Sequence, residues 1–219
     1  MTEPPSLAAP ADLGAAPALT PGGVLRIWAP HLLALLLPVG ALAFLVTAPH
    51  RWWTALLLLV VPGAVVQVVD RFGGRQVREP RPDLPARPFD ALLAVLVVVQ
   101  LVNVGVLAVY FASHTLWALD SLVAILLVGA SSGYSGIVVA HELIHRTSAR
   151  ARLAGRALLC TVLYEHFYTE HVRGHHVRVG TPEDPATARF GESFARFYVR
   201  TVPAQFRSAW RWRGDPRGG

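Results

Sequence analysis

LWALDSLVAILLVGASSGYSGIVVAHELIH, residues 116–145, is the stretch that decides the fold. From Leu116 to Ala140 its only charge is Asp120, near the start, and the run is long enough to cross the ~30 Å hydrocarbon core of a bilayer as a helix. Immediately beyond it come His141 and His145. On a helix an i, i+4 pair of imidazoles shares one face about one turn apart, the geometry by which two side chains hold one metal.

Three more apolar runs precede this one. Trp28 to Ala48 and Trp52 to Val69 contain no Asp, Glu, Arg or Lys and turn at Pro49-His50-Arg51; Phe89 to Ala112 follows a polar loop and is separated from Leu116 by a short break holding His114. Each run is near the ~20 residues a spanning helix needs. Pro38 and Pro62 fall inside spans, where membrane helices tolerate kinks. The sequence therefore predicts an all-α integral-membrane bundle of about four transmembrane helices in two hairpins, followed by cytoplasmic helices that carry histidines.

Composition agrees with a membrane protein. Hydrophobic residues make up 53% of the 219 and charged residues only 16%, with a mean hydropathy of +0.42, more apolar than a soluble domain. All 20 basic residues are arginine and the pI is about 10.4. They sit in the gaps between apolar runs rather than on one face of a domain, which argues for topology and headgroup contact and against a nucleic-acid partner. Residues 70–88, with Arg71, Arg75, Arg78, Arg81 and Arg87, and everything after 141 are Arg-rich, whereas the two short turns share one Arg. By the positive-inside rule the N-terminus, the 70–88 loop and the histidine-rich segment are expected to be cytoplasmic, with the chain in the inner membrane.

The domain reading is a disordered tail over 1–23, rich in Pro, Ala and Gly, then a membrane domain over 24–210 and an unstructured tail over 211–219. Turns are expected at Gly180-Thr181-Pro182 and at Asp184-Pro185. The lone Cys160 has no intrachain disulfide partner and no CxxC pair exists, so any metal must be held by His and carboxylates.

Six of the nine histidines lie between 141 and 176. After His141-Glu142-Leu143-Ile144-His145 comes a second group, His171-Val172-Arg173-Gly174-His175-His176, which repeats the i, i+4 pair and adds a third ring. On an α-helix His176 would stand about 100° round from His175, in reach of a second metal. His166 is a further candidate as ligand or packing residue; His31, His50 and His114 sit at span ends and read as interfacial. Taken alone, HExxH is also the signature of zinc peptidases, with Glu142 as general base. Such sites close with three protein ligands, so five histidines fit two metals better. Imidazole-rich sites suit iron, copper or zinc.

His141-Glu142-Leu143-Ile144-His145-Arg146, Glu170-His171-Val172-Arg173-Gly174-His175-His176 and Thr181-Pro182-Glu183-Asp184-Pro185-Ala186-Thr187-Ala188-Arg189 resemble the membrane alkane 1-monooxygenases, within the larger group of fatty-acid desaturases and hydroxylases. Gly191-Glu192-Ser193 through Trp210 is similar to the family's continuation. The resemblance covers roughly residues 25 to 210. It implies a non-haem di-iron centre (two Fe) at the cytoplasmic mouth of the bundle, ligated by His141, His145, His171, His175 and His176. It also implies terminal hydroxylation of an alkane or related alkyl chain with O2, and electrons from a rubredoxin-type carrier and its reductase. An apolar tunnel would align the chain, and the second span, which has no aromatic residue after Trp53, is expected to line it through Val61 or Val65.

The family carries a further His motif and a third box, whereas no histidine follows His176 here. The resemblance thus implies that the C-terminal part of the family fold is missing and that the chain is inactive by itself. A fatty-acid desaturase or hydroxylase of the same group, a non-catalytic membrane relict and an intramembrane zinc metallopeptidase stand as alternatives.

Overall fold

The computed structural model describes residues 19–73, 81 and 83–212. Residues 1–18 of the tail expected over 1–23, the middle of the 70–88 loop (74–80 and 82) and the end of the chain (213–219) lie outside the described residues. All regular structure among the described residues is helical. Four helices are long and apolar enough to cross a membrane: α1 (Pro21–Thr47), α2 (Trp52–Phe72), α3 (Arg87–Ser113) and α4 (Leu119–Ile144). Three shorter elements follow: α5 (Ala149–Thr161), α6 (residues 166–178, built from His166–Thr169, Glu170–His175 and His176–Arg178) and α7 (Phe194–Trp212). The chain is an integral membrane protein.

All four predicted spans are present, with shifted edges. The first helix begins at Pro21, inside the segment read as a tail, because Thr20 caps it through Oγ1 to the Gly23 amide (3.2 Å) and Pro21 suits a first helical turn. Arg211 and Trp212, expected in a tail, form the last turn of α7. Gly180 (φ 82°) makes the expected turn after the second histidine group.

The spans are not equivalent. Half of the apolar window of α4 is buried against 11% for α2, so α4 is the central helix and α2 the most lipid-facing. A core of Ala41, Phe44, Ala55, Tyr110, Val123, Ala124 and Leu127 joins all four spans at the end of the two short turns. At mid-depth polar side chains tie the helices. Gln100 of α3 donates to Ser132 (2.6 Å) and accepts from Ser131 (2.7 Å), and Asn103 donates to the Pro38 carbonyl (2.8 Å). In lipid, where helices gain little by burying apolar surface against each other, such bonds and close packing hold a bundle together. Residues 132–137 of α4 wind as a π-helix beside this cluster, and its Gly136 packs against Gln100.

At the opposite end a second core (Leu92, Leu96, Val139, Ala140, Leu143, Ile144, Leu158, Leu159) seats α5 against the last turns of α4 and the start of α3. Gly155 makes that crossing possible: a Cβ there would lie 2.9 Å from the Ala140 carbonyl and 3.0 Å from Leu143. Helix α5 ends in a Schellman arrangement, with Tyr164 N–H to the Leu159 carbonyl (2.9 Å), Leu163 N–H to the Cys160 carbonyl (3.1 Å) and Leu163 at φ 55°. That turn folds α6 back under the end of α4.

Candidate metal centre

The return of α6 brings its histidines against those of α4. His171 Nε2 lies 2.8 Å from His141 Nε2, 3.0 Å from His145 Nε2 and 3.1 Å from His176 Nε2. A ring nitrogen carries one hydrogen or one lone pair, so three neighbours at hydrogen-bond distance cannot all be hydrogen-bonded to it. A shared cation would account for the convergence. Two imidazole nitrogens held at about 2.0–2.1 Å from a metal and at right angles to each other stand about 2.9 Å apart. His141, His145 and His171 offer their ligand atoms within 4.8 Å of one another. The donor set therefore fits a metal.

His176 joins this group for a reason the α-helical reading did not contain. Residues 170–175 are a π-helix, and the His176 N–H bonds to the His171 carbonyl. An i→i+5 bond sets residue i+5 over residue i, so His176 stands on the face of His171, where an α-helix would put it about 140° round.

His175 follows a different route. Its ring stacks on His171 (centroids 5.3 Å apart), and its Nδ1 bonds to Asp184 Oδ2 (2.8 Å), which leaves Nε2 as the ring nitrogen without that partner. Metal-binding histidines are commonly oriented in this way by a carboxylate. Asp184 is itself 2% exposed and also accepts from Thr187 Oγ1 (2.6 Å) and the Ala186 amide (3.0 Å). Burial works against its ionisation, but the bonds from Thr187, Ala186 and His175 outweigh it and hold the carboxyl below the usual range. The sequence reading placed Asp184 in a turn and in the motif that resembles the family, without pairing it with His175. Nothing in the spacing of Asp184 from His175 shows that the turn at Gly180 folds one onto the other.

The electrostatics favour neutral ligands. Burial, with the other four histidines nearby, pushes His171 down to about 3 from an ordinary 6.5. His145 is lowered too, by burial first and then by His141 and His176. A neutral imidazole keeps the lone pair a metal needs. Phe167 stacks on the His171 ring (4.7 Å) and closes one side. Beneath, Glu170 is wholly buried, receives Arg178 Nη2 at Oε1 (2.8 Å) and has its carboxyl raised chiefly by burial. Arg178 also reaches Ser208 of α7 (3.0 Å), and Gly174 leaves room for the Glu170 carboxyl, which a Cβ would meet at 2.5 Å.

The remaining candidates stand elsewhere. His166 packs between Tyr164 and Phe206, half-buried and lowered by burial. Glu142 pairs with Arg146 (2.9 Å), which also reaches Asp90 at the start of α3 (3.2 Å). His31 bonds to backbone carbonyls of α1, His50 to Asp120 and Thr47, and His114 to the Tyr110 carbonyl and Ser113. A cavity of about 840 Å3 opens between α1, α2, α3 and α4 toward the same end of the bundle, and none of the five histidines lines it. Its wall on α4 runs through Tyr134 and Val138 to Glu142, and its wall on α2 includes Val65.

Comparison with known proteins agrees with this arrangement. The Fatty acid desaturase family model matches residues 115–217. Alkane 1-monooxygenase 1 of Pseudomonas aeruginosa is 38% identical over 191 residues, covering 84% of this chain and 50% of the relative. Over most of its length the chain is similar to the alkane 1-monooxygenases. Alkane 1-monooxygenase 2 of the same organism is 36% identical over 170 residues (74% of this chain, 45% of the relative). Alkane 1-monooxygenase of Pseudomonas putida is 47% identical over 70 residues (32% of this chain, 17% of the relative). The chain spans about half the length of the family members it matches over most of its own.

Proposed function

We propose that residues 24–210 are the membrane and metal-binding part of an oxygenase that hydroxylates the terminal carbon of alkanes or related alkyl chains, and that His141, His145, His171, His175 and His176 are ligands to a non-haem di-iron centre. The observation that carries this reading is the convergence of three histidine nitrogens on His171 Nε2. Iron held there supplies the activation of O2 and the insertion of one oxygen atom into a C–H bond, with electrons from a rubredoxin-type carrier and its reductase.

The chain's own residues do the rest. The stacked Phe167 ring covers His171, and Asp184 keeps a hydrogen on His175 Nδ1 so that Nε2 would be its donor to the metal. The cavity binds an alkyl chain by shape along Leu33, Val65, Leu93 and Val138. Val65 is on its wall and Val61 is not among its lining residues, so Val65→Trp, not Val61→Trp, should shorten the accepted chain. Purified chain should bind iron in proportion to its intact histidine boxes. Octane and hexadecane oxidation, assayed with rubredoxin, its reductase and NADH, in a protein of full family length carrying these residues, tests the activity. Retention of iron and turnover after replacing His141 and His171 together would overturn the assignment.

The arginine asymmetry supports a cytoplasmic histidine end in the inner membrane. With the exposed Cys160 replaced by Ser, an impermeant thiol reagent on intact cells should label Trp117→Cys and spare Arg150→Cys. The reverse pattern would invert the topology.

A further inference from the structure

The second histidine box is held from outside its own helix. Asp184, which fixes His175, lies in the segment between α6 and α7, where residues 179–193 contain no helix or strand. That segment is gripped by one side chain of α7. Arg200 donates from Nε to Glu192 Oε1 (2.7 Å), from Nη2 to Glu192 Oε2 (2.7 Å) and the Thr187 carbonyl (3.1 Å), and from Nη1 to the Pro185 carbonyl (3.0 Å). Thr201 adds its hydroxyl to the same Pro185 carbonyl (2.9 Å). Glu192 also accepts the Arg189 amide (3.0 Å), and the Arg200 hydrogen bonds, with that amide, hold its carboxyl at about 2. The guanidinium is a planar fork with fixed donor directions, so four bonds from one side chain fix three points of the loop relative to α7. Pro185 and Thr187 flank Asp184 and Ala186, and Thr187 is itself a donor to Asp184.

We propose that Arg200 is a positioning residue for the metal centre. By clasping residues 185–192 to α7 it fixes the Asp184 carboxylate, which in turn holds His175 by Nδ1 and presents Nε2 as a ligand. Arg200 has no bond to any histidine; it acts by holding the loop, and its charge also acts directly on Asp184. The proposal rests on the reading of His175 as a ligand.

The test is a double-mutant cycle on the full chain in lipid nanodiscs. Apparent Co2+ affinity is measured by chelator competition, and the visible Co2+ spectrum reports the coordination number. Arg200→Gln and Asp184→Asn should each weaken Co2+ binding about 10-fold or more, the range for losing an outer partner of a ligand. The double variant should bind no more weakly than Asp184→Asn, because both changes act through one contact. Arg200→Lys keeps the charge without the fork and should behave like Arg200→Gln, while Arg207→Gln on the exposed face of α7 should leave affinity unchanged. Native affinity in Arg200→Gln, or losses that multiply in the double variant, would overturn the proposal. A second arm needs no metal: hydrogen exchange at the His175 ring C2 position in metal-free protein should speed up in Arg200→Gln and Asp184→Asn but not in Arg207→Gln. If the native chain takes up no Co2+, the reading of the histidine cluster fails, and this arm alone decides the clasp. Unchanged His175 exchange would then defeat it.

Discussion

Both ends of the bundle carry histidines next to carboxylates, and the two ends use them differently. At the end of the short turns, His50 has Asp120 at Nδ1 (3.2 Å) and Thr47 at Nε2 (2.9 Å). His114 lies on Tyr110 (4.0 Å between rings) with its Nδ1 near the Tyr110 carbonyl (2.9 Å). These rings are occupied by their own neighbourhood, and His50 through Asp120 ties the two hairpins together. At the other end His141, His145 and His176 meet nitrogen to nitrogen around His171, and a carboxylate takes only the outer nitrogen of His175. What separates the two groups of histidines here is the partner of each ring nitrogen, not its distance from a membrane span.

Substituting the two ends in parallel should break the likeness. His171→Ala removes the nitrogen on which the others converge and should weaken metal binding by at least about 100-fold, the upper end of what even an outer partner contributes. His50→Ala should leave metal affinity unchanged, as read by chelator competition on both proteins. Equal losses would mean that the far end feeds the centre.

Backbone closeness gives the next effect. Gly174→Ala places a Cβ 2.5 Å from Glu170 Oε1 and should cost about 1–3 kcal/mol of stability, as overpacking does. Gly129→Ala, with nothing within 4 Å, should stay within about 0.5 kcal/mol. Thermal unfolding in nanodiscs measures both.

Acid should act mainly on the histidine end. His171 titrates at about 3 folded against 6.5 ordinarily, so the unfolded chain binds the extra proton between those values. The contribution is fully present above about pH 6.5 and is lost as pH falls toward 3, by at most about 1.4 kcal/mol per unit in the metal-free chain. His171→Gln should flatten that slope, and an unaltered slope would assign it to another group. The smallest effect is expected from Asp120→Asn, which keeps the shape at the far end and weakens the tie to His50. A loss of about 0.5–1.5 kcal/mol without change in metal affinity is the expected result.

Much of this was legible in the sequence. Runs of about 20 residues without Asp, Glu, Arg or Lys give spanning helices whatever surrounds them, because a backbone in hydrocarbon must bond within its own helix. The i, i+4 spacing of His141 and His145 put two rings at the mouth of the fourth span by local geometry. The motif around Asp184 carried the family resemblance without revealing what the aspartate does. Three features belonged to the tertiary structure. The π-helical winding of residues 170–175, which turns His176 onto the face of His171, breaks the period on which sequence patterns are read. The pairing of Asp184 with His175 depends on where a loop without periodicity folds back. The clasp by Arg200 joins residues 8 to 15 positions apart through a side chain that in sequence is one more arginine among 20. Local hydrogen bonding and hydrophobic length are properties of a segment, and a sequence carries them. Which ring nitrogen meets which partner is settled only when α5, α6 and α7 pack against the end of α4.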